Sequence, residues 1–343
     1  MALDDRLDGV ESRVRSSDWT AIVSNLDNRH FMSDDFAVEL PNLESFGASA
    51  IGKVRTANQD HFLIASLQKQ IVTSHSSFTN EADIEFLTEQ GRLLIVADGM
   101  GGHATGELAA KLAIQSFATY VLSKMHWHLH SEESHQDNVL NAFVEALEFC
   151  QSRLLRYAEI HPESAGMGTT LTVAYIAWPQ LFVLHAGDSR CYVQSGNKLR
   201  QLTTDHTVTQ QLLDRGEITI EQAINSPFSQ CVWNAIGGNA TPVSPQLVST
   251  KLKAGQTILL CSDGLTKHLS DAEILLALQS NQSAEHVSTQ LLDAAIEAGG
   301  RDNVTVVVSR IGKTLLEEFN EQSAADHSEN RTSVNDTDLR LQP

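Results

Sequence analysis

The chain has 343 residues, of which 41% are hydrophobic, and its formal net charge is −19. A chain of this length can build one large domain or two ordinary ones around a sizeable core. The acidic excess argues against nucleic acid or an anionic membrane as a partner, and no apolar run approaches the roughly 18 residues that a membrane span requires.

Residues 1–44 form an acidic extension with a partly helical pattern. Leu3, Leu7, Val10 and Val14 recur at spacings of three and four residues, which predicts an amphipathic helix. We expect this helix to pack on the main domain, with a docking arm for a partner as the alternative. The segment lacks the apolar stretch of a secretory signal, and the four cysteines show no C-x-x-C spacing. Both features predict a cytoplasmic protein whose thiols are buried and reduced.

The main domain is predicted to span residues 45–312. It opens with a strand over residues 46–52, and a second strand over 62–64 follows directly after Asp60. Residues 66–91 are polar, so we expect an irregular connection there.

The stretch around Asp98 organises the chain. Residues 93–97 are an unbroken apolar run typical of a buried strand, and the run ends on Asp98, which would be costly to bury alone. Three glycines follow, and then an Ala-rich helix over residues 105–122. A carboxylate at the mouth of a strand, beside backbone freed by glycine, can bind a hard cation. The alternative is a helix-capping aspartate in a Gly-rich turn.

The next segment contains a histidine tract, at positions 126, 128, 130 and 135. A metal site is one interpretation, but this spacing does not place the rings on one helix face, so we favour a solvated loop. A second long helix is predicted over residues 138–160, and strands follow from Gly168. Asp188 stands at the bend after a strand, where we predict that it ties loops together.

An irregular module over residues 203–239, with short helices near 208–215 and 219–224, interrupts the strands. A strand then ends at Asp263, a capping-box sequence opens a helix at Ser270, and a last helix precedes a last strand. Residues 313–343 are acidic and poor in apolar side chains, which predicts a disordered tail.

Aspartates mark the ends of four predicted strands, at Asp60, Asp98, Asp263 and Asp302. We expect a sheet to gather them into one carboxylate cluster, and carboxylates that close need cations among them. Arg55 lies just upstream of Asp60, and its guanidinium is suited to forked contact with a phosphoryl group. The alternative is that Arg55 pairs with one of the carboxylates.

Seven motifs in this order resemble the metal-dependent protein serine/threonine phosphatases of the 2C type, in particular their bacterial branch. The matching segments begin at Arg55 (R-x-x-N-Q-D), Asp98 (D-G-M-G-G-H), Gly166 (G-M-G-T-T), Gly187 (G-D-S-R), Leu202 (L-T-x-D-H), Ser262 (S-D-G-L) and Arg301 (R-D-N-V-T). The resemblance covers about residues 46–311.

This resemblance implies an α+β fold, a four-layer αββα sandwich of two antiparallel sheets flanked by helices. It also implies two Mn²⁺ or Mg²⁺ ions, held by Asp60, Asp98, Asp263, Asp302 and the Gly99 carbonyl. Asp98 would bridge the ions, Arg55 would bind phosphate, and Arg55, Asp60 and Asp98 would carry the catalysis. Residues 203–239 would form a flap beside the site. The reaction implied is hydrolysis of phosphoserine and phosphothreonine in proteins by a metal-activated water.

The resemblance also implies partners and alternatives. The substrates would be phosphorylated proteins, a cognate serine/threonine kinase would act in the same pathway, and the protein would be a monomer. The expectation that it binds neither nucleic acid nor membrane comes instead from its acidic charge. Two family features do not carry over directly: Glu163-Ser164-Ala165 stands where many members hold a third metal ion, and His103 does not directly follow Asp98-Gly99. The alternative function is a catalytically weak regulatory or binding module. A calcium-binding protein is disfavoured because no EF-hand spacing occurs.

Overall fold

The structure of the protein, a computed structural model, describes residues 41–71, 86–124, 133–224, 226, 228, 230–238 and 242–313. The predicted helix in residues 1–40, the first three histidines of the tract and the tail after residue 313 lie outside this part. Within the described residues, none of the helices has the length and apolar character needed to cross a membrane.

Two stacked antiparallel sheets form the centre of the domain. The smaller sheet contains, in spatial order, β1 (Leu43–Ala50), β12 (Val304–Ile311), β11 (Thr257–Cys261), β7 (Arg190–Ser195) and β8 (Lys198–Gln201). The larger sheet contains β10 (Gln246–Lys251), β6 (Gln180–Ala186), β5 (Leu171–Ala177), β3 (Phe86–Met100), β4 (Gly168–Thr169) and β9 (Ile236–Gly237), with β2 (Asp60–Ile71) paired to β3. Branched apolar residues dominate the central strands, as expected for strands buried on both faces.

Helices cover the outer face of each sheet. The larger sheet carries α1 (His103–Lys124) and α2 (Glu133–Ile160), and the smaller sheet carries α6 (Asp271–Leu278) and α7 (Ala284–Glu297). Three short helices, α3 (Val208–Asp214), α4 (Ile220–Ile224) and α5 (Asp263–Thr266), lie in the connections. The predicted four-layer αββα sandwich is therefore confirmed.

Three apolar clusters fill the spaces between these layers. Between the sheets, side chains such as Val96 and Leu260 are fully buried. Under α1 and α2, the rings of Phe117 and Phe143 meet edge to face at 5.5 Å. The third cluster lies between the smaller sheet and α6 and α7. Burial of this apolar area supplies the main favourable term in folding.

Several local predictions need correction. Residues 66–71 and 86–91, predicted to belong to an irregular connection, are strand, because β2 and β3 pair as far as Ile71 and Phe86. Hydrogen bonds to the partner strand pair the backbone groups of these polar residues, and the polarity of the side chains does not predict such pairing. Residues 72–85 lie outside the described part of the chain. Helix α2 begins at residue 133 rather than 138. Cys231 is exposed, whereas the other three cysteines are buried as predicted.

The first strand starts before the predicted boundary at residue 45. Leu43 is buried and pairs opposite Ile311. The carboxylate of Glu44 accepts a hydrogen bond of 2.9 Å from the backbone N–H of Ala284, at the start of α7. Both residues therefore belong to the packed domain. The predicted capping box at the start of α6 is confirmed, since Ser270 and Glu273 bond reciprocally to each other's backbone N–H groups.

Candidate metal centre

Each sheet contributes two of the four aspartates. Asp60 is the first residue of β2 and stands opposite Asp98 near the end of β3. Asp263 follows β11 as the first residue of α5, and Asp302 lies two residues before β12. The two aspartates of each pair come from neighbouring antiparallel strands. In such a pair of strands, the start of one strand lies beside the end of its partner, at the same edge of the sheet. The predicted assembly of distant aspartates therefore follows from the topology.

A cavity of about 220 Å³ lies among these residues. Five of the six predicted site residues line it: Arg55, Asp98, Gly99, Asp263 and Asp302. Asp60 does not line the cavity; its side chain is only 3% exposed. The other lining residues are Gln59, Met100, Gly101, Thr170, Asp188, Gln230, Val232, Lys267 and Asn303.

Ser262 fixes the buried carboxylate of Asp60. Its hydroxyl donates to Asp60 Oδ2 at 2.7 Å and accepts from the backbone N–H of Thr305 at 2.9 Å. This hydroxyl thus joins β2 of the larger sheet to β12 of the smaller one. The serine of the S-D-G-L motif is therefore a positioning residue that the sequence alone did not reveal.

Asn303 holds the loop that carries Arg55. Its side-chain N–H groups donate to the carbonyls of Ile51 at 3.0 Å and Ala57 at 2.9 Å, and its Oδ1 accepts from the N–H of Gln59 at 2.9 Å. One buried amide thereby satisfies three backbone groups between β1 and β2. Next to it, a side chain at Gly264 would meet the Asn303 carbonyl at 1.9 Å, so this position requires glycine.

The Arg55 guanidinium makes a forked ion pair with Asp302. Nε lies 2.7 Å from Asp302 Oδ1, and NH2 donates to Oδ2 at 3.0 Å. The structure therefore shows the alternative contact of Arg55, an ion pair with one of the site carboxylates, Asp302. The side chain of Arg55 is 49% exposed, so it also reaches solvent at the cavity wall.

Lys267 is a second cation in the cavity wall, and the sequence analysis missed it. Its ammonium pairs with Asp263 Oδ2, four residues earlier, and with Asp302 Oδ2 at 3.0 Å. In the described part of the chain, no group of three acidic or histidine side chains is arranged as a finished metal-ligand set.

Burial governs the protonation of the carboxylates. It raises the pKa of Asp60 to about 7, although the hydrogen bond from Ser262 opposes the rise. It also raises the pKa of Asp98, with the charge of Asp60 adding to the effect. For Asp302 burial acts in the same direction, yet Arg55 and Lys267 together hold its pKa below the usual value.

Asp188, which was predicted to tie the loops around the site, also lies in the cavity wall. It is 7% exposed, and burial together with the charge of Asp263 raises its pKa to about 8. Asp188 follows strand β6 and Gly187, so the available sequence signal was an aspartate beside a glycine at the end of an apolar strand, as at Asp98, although the order of glycine and aspartate is reversed. Glu163, considered for a third ion, is exposed and pairs with His161. The side chain of His103 lies outside the described part.

The predicted flap borders the cavity through Gln230 and Val232. His206 anchors it: His206 Nδ1 accepts from the N–H of Gly187 at 3.1 Å and lies 2.8 Å from Asn234 Nδ2. The ring also packs against Trp233, with centroids 5.2 Å apart. Because Gly187 precedes Asp188, one imidazole links the flap to a cavity residue.

The donor set fits a hard cation. Among the residues that the structure describes, no donor reaches Asp60 Oδ1 or Asp263 Oδ1, although both atoms are buried. A buried carboxylate oxygen without a partner is costly, and Mn²⁺ and Mg²⁺ prefer oxygen ligands. The close approach of Gly99 to α1, where a side chain would meet the Gly106 carbonyl at 2.1 Å, fixes the backbone beside Asp98.

Comparisons with known proteins agree with this geometry. A family model described as protein phosphatase 2C matches residues 80–327. The serine/threonine protein phosphatase PstP of Mycobacterium tuberculosis is 40% identical over 220 residues, which make up 64% of this chain and 40% of PstP. The serine/threonine phosphatase stp of Listeria welshimeri is 33% identical over 216 residues, covering 63% of this chain and 83% of stp.

A solved structure extends the likeness to the fold. The catalytic domain of PstP, in complex with two manganese ions, superposes with a TM-score of 0.62 at 32% identity, covering 79% of this chain and 99% of that one. The match to full-length PstP spans 40% of that protein, less than half of its length.

Proposed function

Because this chain belongs to the protein phosphatase 2C family, we propose that it hydrolyses phosphoserine and phosphothreonine in proteins in a metal-dependent reaction. The observation that carries the proposal is the cavity in which carboxylates from both sheets meet Arg55, with buried carboxylate oxygens that lack a donor. Such a site suits a dianionic phosphoryl group and cations together.

Asp60, Asp98, Asp263 and Asp302, with the Gly99 carbonyl, would hold two Mn²⁺ or Mg²⁺ ions. Bound there, two divalent ions would make hydroxide available at neutral pH and neutralise charge on the phosphoryl oxygens. The catalytic residues we propose are Arg55, Asp60 and Asp98.

Arg55 would bind the phosphoryl group. Its guanidinium already presents a planar fork to Asp302, and the same geometry suits two phosphoryl oxygens. Asn303 holds the Arg55 loop in place, so the arginine is positioned before substrate arrives. Cys150, Cys191 and Cys261 are unsuited to serve as nucleophiles, because they are buried, and burial raises the pKa of Cys150 and Cys261 to about 12.

We further infer that the substrates are phosphorylated proteins that a cognate serine/threonine kinase supplies, and that the protein acts as a cytoplasmic monomer. The cavity, which Gln230 and Val232 of the flap help to line, suits a phosphorylated side chain on a protein surface. The acidic net charge of −19 supports a partner other than nucleic acid or an anionic membrane.

The test is turnover of p-nitrophenyl phosphate and of a phosphothreonine peptide by the full-length protein with Mn²⁺, with and without EDTA. We expect activity that EDTA abolishes and that Asp302→Asn reduces by orders of magnitude, since this change removes a charged ligand. A folded protein that binds Mn²⁺ but turns over neither substrate would contradict the proposal and favour a binding module.

A further inference from the structure

Lys267 joins the carboxylates of Asp263 and Asp302, two residues that would hold a metal ion under the proposed function. Its ammonium pairs with one oxygen of each, and the two aspartates come from different elements, α5 and the loop before β12. The side chain of Lys267 is 28% exposed, and those of Asp263 and Asp302 are 14% and 16% exposed, so the contact is shielded from bulk water.

The position of the lysine is set by the backbone. The N–H of Lys267 donates to the Asp263 carbonyl at 2.8 Å, which closes the single turn of α5 and brings both side chains to the same face. Gly264 packs against the Asn303 carbonyl, which fixes this turn against the loop that carries Asp302. The ammonium is therefore held by the same short turn as the carboxylate it pairs with.

We propose that Lys267 is a built-in competitor for the metal ion at the Asp263–Asp302 half of the centre, an inference that rests on the metal ligands of the proposed function. In the metal-free protein the ammonium keeps the two carboxylates together. A divalent ion that binds these two carboxylates must first displace the ammonium from both of them. The ion then lies close to the positive charge of the lysine, which repels it. The affinity of this half is therefore lowered, whereas the Asp60–Asp98 half has no such cation among the contacts described.

The effect of removing the charge of Lys267 distinguishes a competitor for the metal ion from a purely structural ion pair. If the lysine is a competitor, removing its charge strengthens metal binding at one of the two ions. If it is only a clamp for the loop before β12, removing it loosens the ligands and weakens metal binding. The direction of the change in metal affinity decides between the two roles.

The experiment is a calorimetric titration of Mn²⁺ into full-length protein stripped with EDTA, with the Mn²⁺ electron paramagnetic resonance signal as a second measure of free ion. We expect two classes of site in the parent. Lys267→Met should tighten the weaker class by at least tenfold and leave the tighter class within about twofold. Lys267→Arg keeps the positive charge and should stay close to the parent. The matched control Lys198→Met removes the same charge from the exposed β7–β8 hairpin and should change neither class.

Unchanged or weaker binding at the weaker class in Lys267→Met would overturn the proposal, as would a parent with only one class of site. Lys267→Gln is a second neutral variant, so the comparison stands if the Met variant does not fold. The titration contains no phosphorylated substrate. Failure of the proposed phosphatase function would instead appear as absent turnover in a parent that binds Mn²⁺ normally.

Discussion

Replacement of Asp60 by Asn should stabilise the metal-free protein while it destroys activity. Asp60 is buried, and its pKa lies at about 7 instead of 3.8. At about 1.4 kcal/mol for each pKa unit, keeping this carboxylate ionised at pH 8 costs the fold about 4 kcal/mol. An amide avoids that cost, but its NH₂ group would stand where Oδ1 now has no partner, at a cost of about 1–3 kcal/mol. The net gain expected in the free energy of unfolding is about 1–3 kcal/mol.

The contribution of Asp60 to the free energy of unfolding depends on pH, and the direction of this dependence follows from its raised pKa. The pKa of Asp60 is raised in the folded state, so the folded protein binds this proton more tightly than the unfolded chain does. The resulting stability is fully present below about pH 4 and is lost as the pH rises through about 7. We expect the unfolding free energy of metal-free parent protein to fall across this window, and the fall to be smaller in Asp60→Asn.

The assay is urea unfolding in EDTA at pH 5 and pH 8, followed by circular dichroism, with thermal melts as a function of added Mn²⁺. In EDTA at pH 8, Asp60→Asn should melt about 2–10 °C above the parent. Saturating Mn²⁺ should raise the melting temperature of the parent far more than that of the variant. A variant that is less stable than the parent at pH 8, yet responds normally to Mn²⁺, would refute the reasoning.

Three further predictions concern Arg55, His206 and the domain boundaries. Arg55→Ala should raise KM for phosphorylated substrates about 10- to 150-fold while Mn²⁺ still binds, since a lost charged hydrogen bond costs about 1.5–3 kcal/mol, and unchanged kinetics would make Arg55 a structural ion-pair partner. His206→Ala removes the acceptor of the Gly187 and Asn234 contacts, so urea unfolding should show a loss of about 2 kcal/mol and kcat/KM should fall; full activity would show that the flap needs no such anchor. A shortened protein of residues 41–313 should fold and hydrolyse p-nitrophenyl phosphate at close to the full-length rate, and aggregation of that protein would place part of residues 1–40 in the core.

The chain sequence predicted those parts of the site that lie at strand ends. Asp98 and Asp263 follow apolar runs, and Asp302 precedes one, so local hydrophobicity was enough to place them at sheet edges. Lys267 was not found, because it lies in a short polar turn and its role depends on Asp302 from another element. Its i, i+4 spacing from Asp263 was the available signal.

The predictions from sequence were wrong where pairing between strands, rather than the polarity of the side chains, determines the structure. Strands β2 and β3 extend through polar residues because each supplies hydrogen bonds to the other, with a bulge between Leu67 and Gln68. Asp188 was assigned to loop support because its bend was read alone. The fold places Thr170, whose hydroxyl contacts that of Ser189 at 2.9 Å, beside it in the cavity wall. Such relations between distant segments cannot be read from one stretch of chain.

The hydrogen bond between Ser262 and Asp60 joins residues 202 positions apart, and the ion pair of Arg55 joins it to a residue 247 positions away. Contacts of such sequence separation form late in folding, since the long loops between them must close first. During synthesis the ribosome releases the strands of the larger sheet long before β12, which pairs with both β1 and β11. A nascent chain that ends before residue 302 lacks both a ligand and the strand that closes the smaller sheet. Under the proposed function, dephosphorylation is therefore confined to chains that have been translated past β12.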